Sequence, residues 1–365
     1  MRRALTFALA ETRSRIRSCS EAWEAFWFTP ADPTLLGILR VLTGLMLLYT
    51  HGVWGLALGD FFGEDPWLGA ELVRTLQEYS FACSFWWWVE PEWMWTAHGV
   101  SMAILALFTL GLWTRATSVL SLVVAISYAH RVPEALFGLD QINVMLTLYL
   151  TIGDGGRAVS LDRLIARRRG EGAATPSARS NLGRRLIQVH MCTIYFFAGI
   201  SKLQGPAWWS GDAMWLAFAN LEYQSMDMTW LAWHPLILNV MTHTTIAWEI
   251  SFCVLVWKPA WRPIVLAAGT AMHLGIGACL GMWTFGLIML VGCASFLPTE
   301  TAGVLVRALS GARRGRATPV TFPVSASPQA ASALLKGPHR PVGPVVTIDY
   351  GRHREGSEPR GPIPG

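Results

Sequence analysis

Charge is what this 365-residue chain has least of. Asp, Glu, Lys and Arg make up 15% of it against 52% hydrophobic residues, and mean hydropathy is +0.36, whereas soluble domains carry about 25% charged residues. A soluble core of this length must cover its surface with such side chains, and 29 basic and 24 acidic residues do not suffice. The shortage excludes a water-soluble fold and points to the bilayer as solvent. Lysine is scarcer still: Lys202, Lys258 and Lys336 stand among basic residues that are otherwise all Arg. Paired cysteine motifs are missing too. Cys19, Cys83, Cys192, Cys253, Cys279 and Cys293 lie far apart, mostly within apolar runs, with no C-x-x-C, so neither a disulfide framework nor a zinc site is indicated. No cleavable signal peptide is expected, because the first apolar stretch after the Arg-rich start is short and ends before Glu11. The formal charge of +5 does not imply nucleic acid, since the basic residues fall between apolar runs and form no stripe.

What is present is a succession of apolar segments long enough, or nearly so, to cross roughly 30 Å of hydrocarbon. The clearest are Leu35–Leu58, Trp93–Trp113, Leu186–Leu203, Leu236–Trp257 and Ile264–Leu280; the weaker are Ala116–Ala135, Ile142–Gly153 and Trp283–Leu297. These predict an all-α, polytopic integral membrane helical bundle of about eight transmembrane helices, the short polar segments facing other helices more than lipid. Arg content alternates from loop to loop. Arg2, Arg3, Arg13, Arg15 and Arg17 precede the first segment, acidic residues dominate Gly59–Glu92, and Arg157 to Arg185 crowd the long loop after the fourth segment. Gln204–Pro235 has no Lys or Arg at all, and Arg307, Arg313, Arg314 and Arg316 close the series. The positive-inside rule then predicts a multi-pass protein of the cell membrane with both termini cytoplasmic. Residues 1–27 read as a cytoplasmic basic segment, 28–298 as the membrane domain and 299–365, rich in Pro, Gly, Ser, Ala and Arg, as a disordered cytoplasmic tail. The nineteen Trp fit interfacial placement, with Phe81–Trp95 and Trp208–Phe218 reading as amphipathic segments in the outer interface.

A titratable group in hydrocarbon costs at least about 2.5–3.5 kcal/mol at mid-span, so each one is snorkelling, paired or functional. Arg40 lies little more than a turn inside the first segment, and its stem is long enough to snorkel to the headgroups. Lys202 ends the fifth segment in a chain that otherwise chooses Arg. It reads either as an interfacial lysine or counter-ion, or as a general base, since Lys loses its proton when desolvated and Arg does not. His273 falls too deep to snorkel, which leaves a helix-to-helix hydrogen bond or a functional role. Glu249, in mid-segment, is expected protonated or paired. His130, Arg131, Asp140 and Gln141 flank a short outer turn and read as rim salt bridges or, with Lys202, as the mouth of a pocket open to the extracytoplasmic side.

The stretch YFFAGISKLQGPAWWSGDAM, Tyr195 to Met214, resembles the segment of the vitamin K-dependent gamma-carboxylase that carries its proposed base lysine, and Lys202 falls on that lysine. HLGIGACLGMWTFGLIML resembles a second carboxylase segment, with His273 and Phe285 matching and Ile276 replacing an Asn. Glu249 in IAWEISFCVLV occupies the place of an acidic residue. With Arg40 in LGILRVLTGLMLLY, the LGLWTR turn and the His130-Arg131 pair, these resemble the bacterial HTTM (horizontally transferred transmembrane) family, which shares its membrane domain with that carboxylase. The resemblance covers Phe28 to Pro298. It departs where the carboxylase has a second functional histidine, since this chain reads LFGLDQIN there with no histidine at Asp140 or Gln141, and where the carboxylase has a large lumenal region. The resemblance implies a carboxylase-like membrane enzyme with Lys202 as proton acceptor, His273 and Glu249 supporting it, and a membrane quinol or lipid as co-substrate. Three other readings stand beside it: a non-enzymatic partner in maturation or export of a secreted peptide, a purely structural membrane protein and, lower because the two halves show no self-similarity, a transporter.

Overall fold

The computed structural model describes residues 2–309 except Tyr79; most of the tail expected from Thr299 onward therefore lies outside the described residues. Each of the eight apolar segments is helical. After α1 (Arg2–Phe28) come α2 (Thr34–Leu56), α3 (Met94–Leu110), α4 (Thr114–Arg131), α5 (Gly138–Ile152), α6 (Ala178–Lys202), α7 (Pro235–Leu255), α8 (Arg262–Leu280), α9 (Trp283–Ala294) and α10 (Thr299–Leu309). Among the described residues, three helices are long and apolar enough to cross a membrane by length and composition: Thr34–Leu56, Pro91–Leu110 and Arg262–Leu280. α9 is apolar but shorter.

Both ends of the described chain are helical. The basic N-terminal segment is a helix in its own right, and its last turn is tied down: Asn181 Nδ2 donates to the carbonyls of Phe26 (2.8 Å) and Trp27 (3.1 Å), and the Arg185 guanidinium lies 4.4 Å from the Phe26 ring centre. The tail begins with α10, which packs on α2 with Ala302 buried; composition over the whole tail masked this short amphipathic start.

α2 is the hub. Asp32 Oδ1 accepts from Thr34 N (2.8 Å) and so satisfies one free amide at the helix start. Leu35, Leu36, Leu39, Arg40, Thr43, Leu47, Thr50 and His51 are buried, a stripe of helical period, and the helix touches α3, α5, α9 and α10. Half of its apolar window is buried, against 22% for α8 at the periphery. α5, short and polar as the sequence predicted for an interior helix, is packed by α2, α4, α6 and α9, with Asn143, Leu146 and Thr147 buried.

Arg40 differs from expectation. It does not snorkel: it is fully buried, and it donates to the Phe108 carbonyl (2.8 Å) at the end of α3 and to the Val159 carbonyl (2.5 Å). α3 ends on Gly111 in the left-handed region (φ 71°), where its last carbonyls are free to accept. A Cβ on Gly111 would run into the Arg40 guanidinium. The closeness of α3 at this point removes the need to reach water, which spacing along α2 alone does not reveal. Gly111→Ala combines left-handed strain with loss of the arginine's seat, and is expected to cost at least about 2 kcal/mol, read as a lower melting temperature of the detergent-solubilised protein; an unchanged melting curve would contradict this arrangement.

Candidate functional site

α6 carries Tyr195, Gly199 and Lys202 at i, i+4 and i+7, one stripe of its surface, and this stripe faces α7. Gly199 sets the separation. A Cβ there would stand 2.7 Å from Ile250 Cγ1 and 3.2 Å from Glu249 Cβ, so a larger residue would push the helices apart. With the backbones this close, Lys202 Nζ donates to Glu249 Oε1 at 2.9 Å. The carboxylate side chain is 8% exposed and the lysine 23%, so the pair sits at the mouth of the interface with the acid inside and the amine partly out. Glu249 Oε2 is buried with no hydrogen-bond partner. Immediately after α6 the chain turns through Gly205 into the short helix Pro206–Ser210, which brings the Trp208 ring centre to 5.3 Å from Nζ, within range of a cation–π contact. Lys202 thus holds an acid on one side and an aromatic face on the other.

Two turns back along α6, the Tyr195 hydroxyl lies 2.7 Å from His273 Nε2 on α8 and 3.2 Å from Cys293 Sγ on α9. The Tyr195 ring is held by Trp248 (4.8 Å between centres) and Phe252 (4.4 Å), the residues flanking Glu249 on the same face of α7. His273 meets the Phe285 ring edge to face at 6.1 Å, and its Nδ1 is buried without a partner. Of the residues singled out in the sequence, Lys202 and Glu249 are brought into contact, and His273 joins the same helix interface through Tyr195. Phe285 lies between His273 and the start of α5, where a Gly138 Cβ would be 3.1 Å from its ring.

The residues flanking the turn between α4 and α5 do not form the expected rim salt bridges, nor do they gather round Lys202. His130 Nδ1 is 3.0 Å from both the amide and the carbonyl of Cys83. Arg131 is buried and donates to the Leu68 carbonyl (2.9 Å). Asp140 Oδ2 accepts from Phe137 N (2.9 Å), capping α5, and Gln141 is exposed. In this turn, burial raises the Asp140 carboxyl above its ordinary value, with the backbone amides of Phe137 and Asp140 opposing. Although the loop packed over them is rich in acids, these side chains take backbone groups instead.

Sequence reasoning passed over a second buried cluster. His98 Nδ1 lies 2.7 Å from the Tyr128 hydroxyl, His51 stacks edge-on to Tyr128 (4.5 Å), and Asn143 Nδ2 donates to Thr50 Oγ1 at 3.4 Å. His51 Nε2 and Asn143 Oδ1 are buried without partners. Beside it a cavity of about 370 Å³ is lined by Thr50, Trp54, Phe61, Phe137 and Asp140. The signal was present: Thr50-His51 continues the period of the buried face of α2. Among the described residues, no group of three or more His, Cys, Asp or Glu is placed to hold a metal ion.

Apolar helices with polar groups gathered between them define, among the described residues, an all-helical protein of membrane type. The HTTM domain family matches residues 28–300, most of the chain, and the chain belongs to that family. No curated protein and no solved structure matches it.

Removing one member of a desolvated ion pair leaves the other uncompensated, whereas replacing both with apolar groups is tolerated. Lys202→Met alone is therefore expected to destabilise by about 3 kcal/mol, and Lys202→Met with Glu249→Leu to recover most of that, measured as melting temperatures in the same detergent. Equal melting for the single and double variants would show the pair to be uncoupled.

Proposed function

We propose that this protein is a carboxylase-like membrane enzyme in which Lys202 is the base, acting at the extracytoplasmic end of an eight-helix transmembrane domain. The observation that carries the reading is the half-desolvated Lys202–Glu249 pair, with its acid buried, its amine reaching the surface and one carboxylate oxygen unpartnered. Through the 2.9 Å hydrogen bond, Glu249 takes a proton from the lysine ammonium, leaving a neutral amine beside a neutral acid. Nζ then accepts the proton of an acidic O–H or C–H group brought to the end of α6 and becomes ammonium again, next to the anion it has generated. Low polarity lowers the cost of this proton transfer relative to water, and Arg cannot take part because its guanidinium stays protonated. Tyr195, His273 and Cys293 hold the interface behind the pair.

The family resemblance implies a membrane quinol or lipid as co-substrate. The surroundings of Lys202 suit a flat apolar ring bearing a hydroxyl, since the Trp208 face and the partly exposed amine adjoin. Trp208 and Lys202 would hold it, and a quinol when bound supplies reducing equivalents. The test is consumption of an added naphthoquinol in air by full-length protein in nanodiscs. Lys202→Arg is expected to lower the rate at least 100-fold, the lower range for loss of a general base, while elution and melting stay as in wild type. Turnover by Lys202→Arg at the wild-type rate would remove the base role.

We further propose that both termini face the cytoplasm, in line with the alternation of Arg-rich and Arg-poor loops. Cys19 before α2 and Cys83 in the loop after it are both exposed free thiols. A membrane-impermeant maleimide added to intact cells should label Cys83 and spare Cys19; the opposite pattern inverts the topology. The exposed Trp67, Trp88, Trp209 and Trp233 favour a second reading, docking of a secreted peptide. It gains if Trp209→Ala abolishes function while Lys202→Arg does not.

A further inference from the structure

At the opposite, Arg-rich end of the bundle, the start of α4 and the end of α5 enclose a cavity of about 510 Å³ whose lining includes Thr114, Arg115, Ser118, Asp154, Arg157 and Arg179. Asp154 is its centre. The carboxylate side chain is 6% exposed, accepts from Ser177 Oγ at 2.8 Å, and is approached by Arg115 (3.4 Å), Arg157 (3.6 Å) and Arg179 (3.9 Å). One carboxylate at these lengths does not saturate three guanidiniums, whose side chains remain 42–78% exposed; each presents a fork of donors with positions to spare. The other acid of the lining, Asp162, is already committed. It accepts from Trp113 N, Thr114 N and Thr114 Oγ1 at 2.7–2.8 Å. The cavity therefore carries net positive charge and unfilled donors.

Its frame is strained. Trp113 and Val159 are the two non-glycine residues at positive φ among the described residues (47° and 50°); Trp113 is held by Asp162, and the Val159 carbonyl by the buried Arg40. A β-branched residue in the left-handed region persists only where its surroundings over-determine it, and such positions concentrate at ligand sites. The cavity is also amphiphilic. Val119 and Leu150 line it beside the arginines, and Val119 and Val123, one turn apart on α4, are exposed apolar residues leading away from it along the helix.

We infer that this cavity binds the phosphate of an anionic phospholipid, the arginines taking the headgroup and the Val119–Val123 face an acyl chain. Phosphate chemistry follows from the surplus of guanidinium forks, and a lipid follows from the apolar track, which free phosphate would leave unused; basic pockets between membrane helices take anionic headgroups in this way. Asp154 acts as an internal anion that competes with the phosphate for the arginines.

The test uses the full-length protein in detergent, with phosphatidylglycerol, phosphatidylcholine and inorganic phosphate as probes, and native mass spectrometry of bound lipid. Phosphatidylglycerol is expected to bind at least tenfold more tightly than phosphatidylcholine and to outcompete inorganic phosphate. Arg157→Gln with Arg179→Gln should weaken it by about tenfold per lost charge-assisted contact. Asp154→Asn, which keeps the acceptor for Ser177, should strengthen it, and Arg74→Gln on the other side of the bundle should leave it unchanged. The inference is overturned if the arginine variants keep the wild-type lipid preference, if Asp154→Asn weakens binding, or if inorganic phosphate binds as tightly as the lipid. The strengthening expected of Asp154→Asn is an effect that misfolding does not produce.

Discussion

A hydrogen-bonding group placed among apolar helices has no water to fall back on, and the cost of leaving it unpartnered exceeds most single contributions to stability. In this bundle that constraint is met by bringing backbones together at glycines. Gly199 lets α7 come close enough for Glu249 to meet Lys202, and Gly111 ends α3 so that its carbonyls meet Arg40. At Gly111 the space a Cβ would fill is held by the Arg40 guanidinium, whereas at Gly199 a Cβ would press on Ile250 and on Glu249 Cβ and hold the two helices apart. The helices are positioned by their polar exceptions as much as by their apolar faces.

The extent to which this was legible in the sequence follows from the range of the forces involved. Apolar period is a local property, so the eight helices could be located from it, and the odd lysine stood out against a chain of arginines. Lys202 and Glu249 were each recognisable as anomalies, yet their pairing depends on which faces of α6 and α7 meet, and that is set by Gly199, a residue with no chemistry of its own. Arg40 was misjudged for the same reason: its place along α2 does not reveal that the end of another helix lies beside it. Tyr195 escaped notice because a tyrosine in an apolar run is unremarkable until His273 is found opposite it. His51 and Asn143 were likewise visible only as ordinary members of helical stripes.

The two ends of the bundle differ in how they treat charge. At the end of α6 one cation and one anion are matched closely and largely withdrawn from solvent. At the Arg-rich end several cations surround one anion loosely, so the imbalance is kept open toward an external partner. α2 and α5 run between these regions and share a buried face, with Arg40 anchoring the strained loop of the second to the helix that organises the whole.

The Cys293–Tyr195–His273 contact carries one more consequence. The hydroxyl has a single hydrogen to give, so if it donates to His273 Nε2 the histidine bears its own hydrogen on Nδ1, and the thiol donates to the tyrosine oxygen. The alternative tautomer reverses every bond in the row. In either of these arrangements the Tyr195 hydroxyl both gives and accepts a hydrogen bond, so three side chains from three helices share one short hydrogen-bonded row, and its direction sets which nitrogen of the His273 ring carries the hydrogen.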